Sequence, residues 1–140
     1  MKVLFDTNVI LDHILSREPY KKNIVKIFDM ICNDELEAFF TANSVTDIYY
    51  IISKRLGVTT AREALRILFS IFIIVSVNGD DCISALDLPM NDFEDAVVAV
   101  CAHKDSIDYI VSNDKEFLQE DTNIARVVTS DALLDLLSIR

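Results

Sequence analysis

The chain has 140 residues, is 51% hydrophobic and carries two glycines and two prolines. That composition points to one compact domain, residues 1–140, and excludes a disordered or low-complexity chain. Thirteen basic against twenty-three acidic residues give a formal charge of −10, which argues against a protein that grips nucleic acid chiefly by neutralising phosphates.

The opening "MKVLFDTNV" has one lysine and an early acid, so no secretory signal is expected, and the location implied is the cytoplasm. The longest apolar run, "FSIFIIVSV", is too short for the ~20 residues that cross a bilayer, so no membrane association is expected. Cys32, Cys82 and Cys101 form no C-x-x-C pair and read as buried thiols.

Taken in chain order, short apolar runs alternate with segments of helical period. The runs "KVLF", "EAFFT", "IFIIVSV", "DYIVS" and "ARVVT" are near-continuously apolar, as strands buried on both faces are. Asp12 falls on a first helix after "KVLF", where a solvated face is the reading. "YKKNIVKIFDMIC" is the next helix. In "SVTDIYYIISKRLG" Ser44 reads as N-cap and Gly57 as terminator, with Ile48, Ile51, Ile52 and Leu56 on one face. "TAREALRILF" starts with a capping-box pattern from Thr60 to Glu63. "NDFEDAVVAVCAHK" and "SDALLDLLSIR" complete the set. The fold expected is a three-layer α/β/α sandwich around a central, mainly parallel five-stranded sheet.

In such sheets the residues beyond the carboxyl ends of the strands gather along one edge, where ligands bind. Asp6 follows "VLF", and Asp114 follows "YIVSN". Asp47 is expected in the first turn of the helix after "EAFFT", and Asp95 in the first turn of the helix before "DYIVS". Four carboxylates thus converge. Each alone has a plain explanation: Ser44-x-x-Asp47 is a capping-box pattern, Asp95 can answer the helix dipole behind an Asp92 cap, and Asp114 can close a turn. Together they need relief, because two unit charges about 4 Å apart repel by roughly 4 kcal/mol at an effective dielectric of 20. Either some acids stay protonated or a divalent cation sits among them, and oxygen donors without histidine favour Mg²⁺ or Mn²⁺ over zinc. Hydrolysis of a phosphodiester is the natural chemistry of that arrangement.

The combination "VLFDTNVILD", "TANSVTDIYYII", "DFEDAVVAVCA" and "DYIVSNDKEF" resembles the PIN-domain nucleases, a group that includes VapC-type toxins, over essentially the whole chain. The resemblance implies a catalytic and metal-binding set on Asp6, Asp47, Asp95 and Asp114. It also implies orienting polar residues at Asn8 and Ser112, with Thr7 and Ser44 as further candidates. It implies as well a Mg²⁺ or Mn²⁺ cofactor, cleavage of single-stranded or structured RNA, an antitoxin protein as partner and a homodimer. The family more often has glutamate where this chain has Asp47, so contact with metal through water is an alternative there. Glu94 and Asp92 stand beside Asp95 and are alternatives to it. Arg17, Lys21, Lys22, Lys54 and Arg55 are candidates for RNA binding, with a solvated face as the other reading, and the tyrosines of "DIYYII" read as core or interface residues that can also stack on a base. His13 and His103 have no metal-ligand spacing.

Two other enzyme classes fit poorly. An aspartyl phosphatase wants an acid at position 8, where Asn8 stands, and a receiver domain wants a lysine after the last strand, where "VVTSDALL" has none. A catalytically inactive PIN-fold interaction module is the alternative of another class.

Overall fold

The computed structural model describes residues 1–120 and 123–138. Its sheet is built from β1 (Lys2–Phe5), β2 (Glu37–Thr41), β3 (Ile73–Val75), β4 (Tyr109–Val111) and β5 (Val127–Val128), in the order β3-β2-β1-β4-β5. Every pairing is parallel. Val3, Leu4 and Phe5 are wholly buried, which is why this segment carries no polar residue.

Helices cover both faces. Alternation along the strands divides the core: Val3, Phe5, Ala38 and Phe40 face one cluster, and Leu4 and Phe39 the other. The first cluster is closed by α1 (Thr7–Ile14), α2 (Lys21–Cys32), α3 (Ala42–Leu56), α4 (Val58–Ile71) and α8 (Ser130–Ser138). The second is closed by α6 (Phe93–Lys104), with α5 (Gly79–Ala85) and the short α7 (Lys115–Gln119). The expected α/β/α sandwich is therefore the architecture found, with a sheet that is parallel throughout. Phe72 is the aromatic hub of the first cluster, with ring centroids 5.2 Å from Phe5, 5.4 Å from Phe40 and 5.6 Å from Phe28.

The first two strands match the expected runs residue for residue, and several helix starts do not. Helix α3 begins at Ala42, straight from β2, with Thr41 as N-cap and no capping side-chain bond. Ser44 is thus inside the first turn rather than capping it, and Asp47 lies beyond that turn. Helix α4 begins at Val58 behind Gly57, so Thr60 and Glu63 form no capping box. Gly57, at φ +91°, both ends α3 and starts α4; a one-residue link between helices needs the positive φ that glycine adopts without strain. The run "IFIIVSV" gives up its first residue to α4, and its strand is only Ile73–Val75. Helices α5 and α7 add to those expected. The last two residues of the expected closing helix lie outside the described residues.

Two burial expectations are overturned. Asp12 is buried, and its carboxylate meets Arg17 at 3.7 Å. Cys32 at the end of α2 is exposed and Cys82 half-buried, which leaves Cys101 as the one buried thiol. No helix among the described residues is long and apolar enough to cross a membrane.

Candidate active site

The chain winds from β1 to β2 on one side and returns to β4 on the other, so the crevice beyond the carboxyl ends of β1 and β4 is the switch point of the sheet. A cavity of about 220 Å³ lies there, lined by Asp6, Asp47, Asp92, Glu94, Asp95 and Asp114. Thr7, Asn8, Tyr50 and Ile51 complete its wall. The four acids expected to converge do so, and two further acids join them. No lining residue is basic.

Asp6 is held from two sides. Its amide donates to the carbonyl of Val111 at 3.0 Å, extending the β1–β4 ladder by one rung. It is also the N-cap position of α1, but its side chain makes no capping bond. The carboxylate instead accepts from Ser112 Oγ at 2.8 Å, and Ser112 Oγ in turn accepts from the amide of Asp114 at 3.1 Å. One buried serine therefore ties the acid after β1 to the turn after β4. Asp114 caps α7, its Oδ1 accepting from the Glu116 amide at 3.0 Å, so its capping reading and its place at the crevice hold together.

Asp92 caps α6 as expected, accepting from the Asp95 amide at 3.1 Å. Asp95 itself is 7% exposed, and its Oδ2 is buried with no hydrogen-bond partner. Burial, reinforced by Asp92, Asp6, Asp114 and Glu94, pushes its carboxyl up to about 7. Burial also raises Asp6, against the opposing bond from Ser112, with Asp114 and Asp92 adding to the rise. Glu94 is raised by burial and by Asp47, Asp6 and Asp92. These are the signs of acids crowded around a poorly solvated space.

Asp47 sits on the exposed side of α3, past its first turn, so no cap explains it. Asn8 is exposed at the rim. Thr7 Oγ1 donates to Ser44 Oγ at 2.8 Å, and Ser44 Oγ lies 3.0 Å from Thr41 Oγ1, all three residues being buried. This hydroxyl chain fastens the start of α1, which carries Asn8, to the start of α3, which carries Asp47. Thr41 had no signal in the sequence beyond closing a strand.

The basic candidates divide. Arg17 is engaged with Asp12, and Arg17, Lys21, Lys22 and Arg55 do not line the crevice. Lys54 lies over the ring of Tyr50, 4.7 Å from its centroid, and Tyr50 does line it. His13 stacks on Phe28 with centroids 3.8 Å apart, and burial lowers its pKa; both features are those of a structural histidine.

The donors at the crevice are all oxygens, the set that hard divalent cations take. Among the described residues no group of three or more His, Cys, Asp or Glu is arranged to hold a metal ion as it stands. The unpartnered Asp95 Oδ2 and the raised pKa values of its neighbours are the features a bound cation would relieve, and in that sense the residues fit one.

The chain is similar to known proteins in sequence and in fold. Ribonuclease VapC1 of Aquifex aeolicus (strain VF5) is 26% identical over 128 residues, covering 88% of each chain. Among solved structures the chain is similar to VapBC2 from Rickettsia felis bound to a DNA fragment from their promoter, with a TM-score of 0.69 and 16% identity over 92% of this chain and 98% of that one. It is also similar to the Mycobacterium tuberculosis sarcin-ricin loop cleaving toxin VapC20, with a TM-score of 0.65 and 14% identity over 82% and 92% of the two chains. The PIN domain pattern matches residues 2–116, a span that holds every acid lining the crevice, and the chain belongs to the PIN-domain family.

Proposed function

We propose that the chain is a Mg²⁺- or Mn²⁺-dependent endoribonuclease and the toxin of a toxin–antitoxin pair, working in the cytoplasm as a homodimer. The observation that carries the reading is the convergence of six acids on one crevice at the switch point, with Asp95 pushed to about 7 by burial and like charge. The ribonuclease VapC1 relative and the VapC20 toxin neighbour support the choice of RNA, and the VapBC2 complex supports an antitoxin partner.

In this mechanism Asp6, Asp95 and Asp114 would hold the cation, with Asp47 holding it directly or through water, and the ion would supply polarisation of a phosphoryl oxygen and a lowered pKa for the attacking water. Ser112 fixes the Asp6 carboxylate by its 2.8 Å bond, so that this ligand is oriented before the ion arrives. Asp95, with its carboxyl raised to about 7 and its Oδ2 unpartnered, would have to be ionised to act as a ligand. Asn8, at the rim, is placed to hydrogen-bond a substrate oxygen or water. The Thr7–Ser44–Thr41 chain keeps the Asp6 and Asp47 walls in register.

The test is cleavage of a labelled RNA with Mg²⁺ or Mn²⁺ by wild type and by Asp6→Asn. Wild type is expected to cleave, and the variant to lose activity by at least about 100-fold with an unchanged circular dichroism spectrum. Full activity in Asp6→Asn sinks the reading. A second reading, a PIN-fold interaction module without catalysis, is favoured by the lack, among the described residues, of an acid group arranged to hold a metal ion as it stands and by the short, exposed Asp47. Calorimetry separates the two: an interaction module shows no heat of Mn²⁺ binding at millimolar metal.

A further inference from the structure

An acidic crevice in a chain of net charge −10 repels the very polymer it is proposed to cut, so affinity for RNA has to come from beside the acids. The wall of the crevice offers one suitable feature. Tyr49 and Tyr50 are neighbours in α3, yet Tyr49 packs against the core while Tyr50 is 56% exposed. Ile48 and Ile52 are wholly buried on the opposite face, which turns position 50 outward. Of the four tyrosines, Tyr50 alone is exposed, and it lines the acidic cavity.

Its ring is accompanied by a cation. Lys54 Nζ lies 4.7 Å from the ring centroid, one turn further along the helix. On α3 the order is therefore acid, aromatic ring, ammonium: Asp47, Tyr50, Lys54. Tyr50 stands one turn beyond Asp47, and the Lys54 side chain reaches back over the ring, so that ring and ammonium lie side by side within 4.7 Å at the edge of the acids. Aromatic rings take any base by stacking, and a lysine meets phosphate as a point charge, so the pair favours single strands with exposed bases over a paired duplex.

We propose that Tyr50 and Lys54 form a subsite for one nucleotide of single-stranded RNA next to the bond being cut, the ring stacking on the base and the ammonium meeting its phosphate. The proposal rests on the ribonuclease reading of the crevice. It assigns Tyr50 a role in binding substrate and none in proton transfer, and it makes Lys54 the cation that offsets the local acidity.

The test is binding of a short fluorescein-labelled single-stranded RNA of mixed sequence, followed by anisotropy with Mg²⁺ present, all in the Asp6→Asn background so that nothing is cut. Tyr50→Leu is expected to weaken binding about tenfold, and Tyr50→Phe, which keeps the stacking face, to stay within about twofold. Lys54→Gln is expected to lower the slope of log affinity against log salt by about 0.7, the loss of one phosphate contact on a single strand. Equal affinity for Tyr50→Leu and its parent overturns the subsite, as does an equal loss in Tyr50→Phe or the failure of the RNA to bind at all. Cleavage by wild type is scored separately. Wild type that cuts RNA while Tyr50→Leu binds as tightly as its parent removes the subsite and leaves the nuclease. Binding that depends on Tyr50 in a protein that cuts nothing removes the nuclease and leaves the subsite.

Discussion

Asp81 and Asp95 occupy the same position in successive helices. Each is the third residue of its helix, each donates its amide to the capping side chain three residues earlier, and they are 5% and 7% exposed. In α5 the box is closed: Asn78 Oδ1 accepts from the Asp81 amide, Asp81 Oδ2 accepts from the Asn78 amide, both at 3.0 Å, and Lys104 Nζ donates to the same carboxylate at 2.7 Å. In α6 the cap is itself an acid, Asp92, and Asp95 Oδ2 has no partner. The Lys104 bond, with help from the Asn78 amide, holds Asp81 below the usual carboxylate range, while burial and the surrounding acids lift Asp95 to about 7. Helix position and overall exposure being alike, two things separate the aspartates: Asp81 is met by a cation, whereas Asp95 is set deeper and among acids, which leaves it available to a ligand.

Breaking the second half of that comparison should have the largest effect. Asp95→Asn is expected to cut metal-dependent RNA cleavage by at least about 100-fold. The same variant, stripped of metal, should melt higher than wild type at pH 8, since a neutral amide replaces a charge held in a poor environment. Loss of activity with an equal fall in melting temperature would mean that Asp95 is structural, as Asp81 is.

The pH dependence of metal-free stability separates the two aspartates next. For Asp95 the folded pKa is raised, so its unfavourable contribution is full above about 7, shrinks as pH falls and is gone below the unfolded value near 3.8. For Asp81 the folded pKa is depressed, so its stabilising contribution is present above 3.8 and is lost as pH falls through the folded value. Melting temperature should therefore rise on acidification from pH 8 toward pH 5, then fall in stronger acid. Asp6 and Glu94 add to the upper limb and the buried His13 works against it, so the check is the difference between proteins: Asp95→Asn should gain less on acidification from pH 8 to pH 5 than wild type, and equal profiles would contradict the account of Asp95.

The smallest expected effect comes from opening the closed box. Lys104→Met leaves the Asp81 carboxylate buried with only the Asn78 amide, at a cost of about 1–3 kcal/mol in chemical denaturation. Cleavage per folded molecule should not change, because Lys104 is at the far end of α6 from Asp95.

The legible parts of this molecule are those fixed by burial along a continuous stretch. "KVLF" and "EAFFT" are strands with the bounds the sequence marks, because a parallel strand covered on both faces has to be apolar throughout. Asp6 was legible for the same reason, as the first polar residue past a buried run. Helix starts were less so: Thr41 and Gly57 cap α3 and α4 without a side-chain bond, so the Ser44 and Thr60 signals pointed inside the helices instead. Asp12 was misread because burial on α1 is set by tertiary packing, in which α1 meets both α2 and α3, and not by local pattern. Tyr50 was half legible, since the period of Ile48 and Ile52 turns it outward, but only the assembled crevice shows what it faces.

The rung between the Asp6 amide and the Val111 carbonyl has a consequence for motion. To free that amide, the two central strands of the sheet must part, which takes the opening of the most buried segment of the chain. Exchange of the Asp6 amide with solvent deuterium should be as slow as that of Leu4, while the amide of Asp47, on the exposed side of α3, exchanges sooner. The crevice would then have one carboxylate anchored in the slowest-opening part of the protein, and the others would adjust to it.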